Sequence, residues 1–382
     1  MSAERTADDC VIDELFGEQE NPVFSLNYRY GVLRSIYVVG RSLLSPRSAV
    51  DAATAIEQIR LHRRLAIVFF ENEFQAASRA RALGLVDGVL RLDLTALSVI
   101  RQQLGFAGTL RQIVYFGWRS VHSGRSGLWS RFSIPLLGWL LYQAFGRLLA
   151  HNRDIQVVTA NIQHPASIGV HRAAKALSCR TAYLEHATTS SLGFCDRGYD
   201  QLFVNFPHTM EMLSAKGVAA ERILVTGTAP STLAWAWDPR FRKAAFCIND
   251  LDTMAAVEHV TAVLQERGYE LTYRIHDSDV RFGAFQAMAQ KQGIAISSAR
   301  ESRIADFLPS VDFVVAGNSN VIADCLQHGK PAIYYWEGAA ELFDYYGLIA
   351  YYDIPHATSP QALRLLLDDV MRTQHLVQIS AG

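Results

Sequence analysis

Short apolar runs alternating with helical patterns predict an α/β chain folded as two βαβ lobes with a cleft between them. Three features carry that reading. Leu65-Ala-Ile-Val-Phe-Phe70 is an unbroken apolar run of strand length, followed by a helical stretch over Gln75–Leu83. This is how a strand buried on both faces of a parallel sheet is written. The pattern breaks over Ala229–Arg242, which holds Pro230, Pro239 and two tryptophans and reads as a linker. It restarts at Lys243–Ile248. The lobes are therefore expected over residues 1–228 and 243–382, joined by 229–242.

In chain order, the first lobe is expected to hold strands at Val86–Leu92, Gln112–Phe116, Ile155–Thr159, Arg180–Leu184, Gln201–Val204 and Arg222–Val225, with an Ala-rich helix at Ile168–Leu177. In the second, helices at Met254–Arg267, Phe282–Gln292, Ile304–Leu308, Asn320–His328 and Pro360–Arg372 separate strands at Leu271–Ile275, Ile294–Ser297, Phe313–Ala316 and Pro331–Tyr335. Strands spaced by ~10–15-residue helical stretches imply βαβ units and a parallel sheet, whose ligand crevice lies outside the carboxyl ends of its strands. The most apolar segment is Phe132–Phe145. It is shorter than the ~18 apolar residues a span requires, and it contains Pro135 and Gly138. Its two readings are a buried helix and a helix resting on a membrane face, with Trp129, Trp139 and flanking arginines at the interface.

Half of the 382 residues are hydrophobic and 19% are charged, enough for a sizeable core and unlike a disordered chain. Lys plus Arg number 36 against 37 for Asp plus Glu, a net charge of −1, so no global basic field exists to hold nucleic acid. Five scattered cysteines with no CxxC exclude a complete disulfide framework and point to a reduced, cytosolic protein. The polar, acidic stretch Met1–Glu20 shows no secretory signal.

Candidate chemistry sits where strands end. Gly317-Asn-Ser-Asn320 lies between an apolar strand and a helix, offering backbone amides and the Ser319 hydroxyl to a phosphate; an ordinary helix cap explains it too. Arg274 and His276 share one face at another strand end, as partners for phosphate or ribose or as a structural pair. His186 leaves the sheet next to Glu185: a general base oriented by a carboxylate, or a histidine that holds a loop. His164, on the neighbouring strand-end loop, and the carboxylates Glu71 and Glu73, after the strand ending at Phe70, are candidate acceptor contacts. GxGxxG after a strand, Walker A, HExxH and GxSxG are absent, and the histidines show no zinc spacing with the cysteines, so no metal and no resident cofactor is called for.

Taken in order, Leu184-Glu-His-Ala-Thr188, Thr226-Gly-Thr-Ala-Pro230, Arg274-Ile-His-Asp277 and Ala316-Gly-Asn-Ser-Asn320 resemble the motifs of GT-B glycosyltransferases, whose fold is two Rossmann-like lobes. The resemblance spans roughly residues 155–340. It is nearest to bacterial surface-polysaccharide enzymes, the CDP-glycerol glycerophosphotransferases and capsule sialyl- or Kdo-transferases. It implies inverting, metal-independent transfer from a nucleotide-activated donor to a saccharide or lipid-linked acceptor. His186 would be the base, with Arg274, His276, Gly317, Asn318, Ser319 and Asn320 on the donor. Ala187 stands where the family has Gly and Asp277 where it has Pro, which leaves CMP-, CDP-, UDP- and GDP-linked donors open. A sugar-nucleotide 2-epimerase and an inactive scaffold of the same fold are the alternatives. The implied location is the cytoplasm, with a peripheral contact on the inner membrane face through residues 132–145.

Overall fold

The computed structural model describes residues 8, 10, 11, 14, 15, 48–92, 96–122, 133–190, 194–227, 234–275, 279, 281–298, 301–372 and 376–378. The chain divides into two compact units. The first comprises Met1–Ala187, Gly193–Val204 and Val218–Leu224; the second comprises Thr188–Leu192, Asn205–Gly217 and Val225–Gly382. This differs from a single cut at 228. Two short segments of the first half, and all of the expected 229–242 linker, belong with the second unit.

The first unit contains α1 (Ser48–Leu61), β1 (Arg64–Val68), α2 (Glu71–Ala82), β2 (Gly88–Arg91), α3 (Ala96–His122), α4 (Ser133–Leu149), β3 (Gln156–Thr159), α5 (Pro165–Ala176), β4 (Arg180–Leu184) and β5 (Gln201–Val204), with β6 (Ile223–Val225) at its boundary. Its sheet runs β2-β1-β3-β4-β5-β6, and the pairs β1–β2, β1–β3, β3–β4 and β4–β5 are parallel. Side chains of a strand alternate between faces, and the core follows suit. Leu65 and Ile67 join Trp139, Leu140, Phe145 and Ile168 on one side. Ala66 and Val68 join Ala76, Ala80, Val158 and Ala182 on the other.

One expectation is corrected here. Gln112–Phe116 is not a strand but part of α3, because Ile113 and Phe116 continue, at helical spacing, the core-facing series begun by the buried Thr109. The expected helix is found from Ser133 on, within α4, and its large apolar side chains are spent on the core: Leu136, Trp139, Leu140, Leu141, Ala144 and Phe145 are all buried. The Trp139 indole N–H donates to the Gln112 side chain at 3.2 Å, and Trp129 lies outside the described residues. No helix among the described residues is long and apolar enough to cross a membrane.

The second unit contains α6 (Pro207–Ala215), β7 (Ala234–Ala236), β8 (Lys243–Ile248), α7 (Met254–Glu266), β9 (Glu270–Ile275), α8 (Phe282–Gln292), β10 (Ala295–Ser298), α9 (Ile304–Phe307), β11 (Phe313–Ala316), α10 (Val321–His328), β12 (Ala332–Tyr335), α11 (Leu348–Tyr352), β13 (His356–Ala357), α12 (Pro360–Arg372) and β14 (Leu376–Gln378). Its sheet runs β10-β9-β8-β11-β12-β13, parallel at each pair, which is the doubly wound Rossmann order. β7 pairs antiparallel with β14, so part of the expected linker is a strand. Glycines at positive φ, Gly293 and Gly329, end α8 and α10, where only glycine adopts the left-handed turn without a Cβ penalty. α6 is tied in by His208, which donates from Nε2 to the Tyr346 carbonyl at 3.1 Å, and by Glu211, which accepts from the Tyr351 hydroxyl at 2.9 Å. Both units are thus doubly wound α/β layers.

Candidate functional site

In the first unit the strand order reverses between β1 and β3, and in such sheets ligands bind beyond the carboxyl ends at the reversal. Three strand-end segments supply the side chains there. After β1 the chain turns straight into α2, so Glu71 and Glu73 begin a helix rather than a solvated loop. Glu73 is fully buried. Its Oε2 accepts the Phe69 amide at 2.7 Å, while Oε1 has no hydrogen-bond partner. Burial raises its carboxyl above the ordinary range, opposed by the Phe69 and Phe70 amides and the Asn161 side chain.

After β3, Asn161 Oδ1 accepts the amides of Gln163 and His164 at 2.9 and 2.8 Å. His164 caps α5 by accepting the Ala166 amide on Nδ1 at 3.3 Å, and packs edge-on against Phe70. Burial lowers its pKa to about 4. It is therefore a neutral helix cap, and its Nδ1 is occupied. From the segment between β4 and β5, the buried Arg197 donates to the Ile162 carbonyl of this loop and pairs with Glu14, so a compensated guanidinium braces the loop.

After β4, Glu185 is fully buried and its amide continues the ladder to Phe203 at 2.9 Å. His186 Nδ1 meets the Ala160 carbonyl. A carbonyl only accepts, so Nδ1 carries the proton and Nε2 holds the lone pair. This carbonyl orients the ring at Nδ1. Burial lowers the His186 pKa to about 4, with the Ala160 contact opposing. The imidazole is neutral near pH 7 and fixed in the tautomer of a base.

In the second unit the order reverses between β8 and β11. The turn after β11 carries Gly317, Asn318, Ser319 and Asn320, and most of its polar side chains serve the fold. Asn318 donates to the Leu342 carbonyl at 2.6 Å and accepts from the Tyr334 hydroxyl and the Tyr345 amide. Asn320 accepts the Thr188 amide at 2.9 Å. Ser319 Oγ accepts the Val321 amide at 3.3 Å, which leaves its hydroxyl proton for a ligand at the start of α10. Gly317 is required by close approach: a Cβ there would lie 2.6 Å from Asp252 Oδ1 and 3.5 Å from the Trp336 ring. Asp252 is buried; Oδ2 accepts the Asn249 amide at 2.9 Å. Burial raises its pKa to about 7, reinforced by Asp279 and Asp250 and opposed by the Asn249 amide and Arg281.

Beside Gly317 a cavity of about 720 Å³ is lined by Thr253, His259, Trp336, Glu337, Phe343 and Thr358, among others. It lies where β12 and β13 end, next to the Thr253 cap of α7. Trp336 is held flat by its N–H bond to the Ala339 carbonyl at 2.9 Å, and only glycine at 338 leaves room for the ring. Glu337 Oε2 lies 2.9 Å from His259 Nδ1. None of these residues was singled out from sequence, although Trp336-Glu-Gly338 obeys the same strand-end rule that marked Gly317–Asn320. Arg274 is buried in the unit, donating to Ser297, Ser302 and the Ser302 carbonyl and lying 4.7 Å from the Phe307 ring centre. His276 and Asp277 lie outside the described residues.

No protein-family model matches the chain, and no match arises among curated proteins. Among solved structures, a UDP-N-acetylglucosamine 2-epimerase is similar at 11% identity and a TM-score of 0.49, over 84% of this chain and 91% of that one. Anabaena Alr3699/HepE in complex with UDP-glucose is similar at 12% and 0.46, over 83% and 92%. The lipopolysaccharide outer core galactosyltransferase WaaB is similar at 11% and 0.40, over 81% and 97%.

Proposed function

We infer that this chain is a glycosyltransferase of the GT-B class, inverting and metal-independent, that uses a nucleotide-activated donor to build a bacterial surface polysaccharide. The observation that carries this reading is His186: a neutral imidazole at a strand's carboxyl end, its tautomer set by the Ala160 carbonyl. Nε2 takes the proton of an acceptor hydroxyl while that oxygen attacks the donor carbon or phosphorus and the bond to the leaving phosphate breaks. In the second unit, the Ser319 hydroxyl and the amides at the start of α10 suit the departing phosphate, and the cavity bounded by Trp336 and Thr253 is of nucleoside size. A donor panel linked to CMP, CDP, UDP and GDP tests the reaction. His186→Ala is expected to lower kcat about 100-fold or more and to leave nucleotide affinity unchanged. Undiminished turnover in that variant removes the base assignment.

One observation favours a second reading. Glu73 and Glu185 are both fully buried at the carboxyl edge of the first sheet, and a sugar-nucleotide 2-epimerase requires carboxylates near its sugar. Conversion of UDP-GlcNAc without any acceptor selects that reaction. Failure to bind any nucleotide leaves the inactive scaffold.

A further inference from the structure

α3 is the place where the first unit is unfinished. After a non-helical Gly105, at φ 70°, the helix exposes Phe106, Leu110, Val114 and Trp118, each half or more accessible. A spacing of four residues puts them along one ridge of the helix, opposite the buried Phe116. A ridge of four large apolar groups ending in tryptophan differs from the scattered single exposures of an ordinary surface.

The sequence of this stretch carries charge of one sign. Between residues 94 and 153 the sequence has seven arginines and no Asp, Glu or Lys, in a chain whose net charge is −1. Arg111 is exposed beside the ridge, and Arg119 lies 5.7 Å from the Trp118 ring centre. Asp8 is the acid that faces Arg119.

We propose that the Phe106–Trp118 face of α3 docks on an anionic lipid surface, lying in the plane of the interface. The chemistry of both halves fits: apolar groups enter the acyl boundary while arginines meet lipid phosphates. A second copy of the chain fits less well, because a two-fold pairing through this ridge sets arginine against arginine. The docking element is thus α3 and not the more apolar α4, whose side chains are spent on the core.

The test uses the full chain in vesicle flotation, with phosphatidylcholine vesicles alone and with phosphatidylglycerol added, at low and raised salt. The expected result is flotation with phosphatidylglycerol only, weakened by salt. The pair Leu110→Asp and Val114→Asp is expected to cut vesicle partitioning about tenfold or more, and Arg111→Gln to cut it less. Circular dichroism and nucleotide binding should be unchanged, since these side chains touch neither core nor cavity. Three results overturn the proposal: no flotation of the wild-type chain, equal flotation with neutral vesicles, or a dimer in sedimentation that the Asp variants split.

Discussion

His186 shows how much one hydrogen bond decides. With Nδ1 committed to the Ala160 carbonyl, the ring can act as a base only through Nε2, and burial keeps it unprotonated down to about pH 4. The acid limb of kcat should therefore fall only below about pH 5, with a flat profile from there to pH 8. A limb near pH 6.5, that of an unperturbed imidazole, would show that another group is titrating. Gly317 gives the matching prediction for the second unit. Gly317→Ala drives a methyl against the Asp252 carboxylate and the Tyr335 carbonyl oxygen, and nucleotide affinity measured by calorimetry should drop about tenfold, the scale of a ~1–3 kcal/mol overpacking. The sequence made His186 and Gly317 visible because each follows an apolar strand. It concealed the employment of Arg274, since Ser297, Ser302 and Phe307 come beside it only when β10 and α9 pack.

Between elements, the contact of α4 with α5 rests on two glycines. A Cβ on Gly169 would lie 2.0 Å from the Gly138 carbonyl oxygen, and one on Gly138 would lie 2.4 Å from the Pro165 carbonyl oxygen. The helices therefore touch backbone to backbone, with Trp139, Leu140 and Ile168 closing the flanks. Gly169→Ala must separate them. A loss of about 3 kcal/mol or more in urea unfolding is expected, at the upper end of the ~1–3 kcal/mol usual for overpacked cores, whereas Gly146→Ala, with open space around it, should cost nothing of the kind. In the sequence, Gly138 argued against a membrane span; its function as a crossing point needs the partner glycine 31 positions later. The same limit explains why Gln112–Phe116 read as a strand: the four β-prone residues Ile113, Val114, Tyr115 and Phe116 outweigh the longer helical period only when the window is short. By contrast β4, β5, β8, β11, α8 and α12 were legible to the residue, being apolar or amphipathic runs bounded by polar or glycine punctuation.

At the scale of the molecule, the alternation of strands and helices disclosed both doubly wound sheets, because that pattern is local and repeats. Assignment of 188–192 and 205–217 to the second unit depends on partners such as Asn320 and Tyr346, far along the chain, and was not legible. That division has a consequence for acid stability. In the first unit burial lowers His164, His171 and His186 to about 4, while the unfolded imidazole titrates near ~6.5. Below pH 6.5 the unfolded chain binds more protons, so each histidine contributes stability that is full above that value and lost towards pH 4. In the second unit His208 is likewise lowered to about 4, but Asp252 is raised to about 7 and has the opposite sign: folded, it holds a proton that the unfolded carboxyl has released, so stability grows as pH falls from 7 towards 4. At ~1.4 kcal/mol per pKa unit, the two terms of the second unit nearly cancel between pH 7 and 5, while in the first the three histidine losses stand against the opposing carboxyl of Glu73, which burial raises, and a net loss remains. Hydrogen exchange corrected for intrinsic rates should show the amides of β1, β3 and β4 losing protection over that range and those of β8 and β11 keeping it. Asp252→Asn should make the second unit follow the first. Equal acid sensitivity of the two sheets in the wild-type chain would mean that the buried histidines are not neutral as their surroundings require.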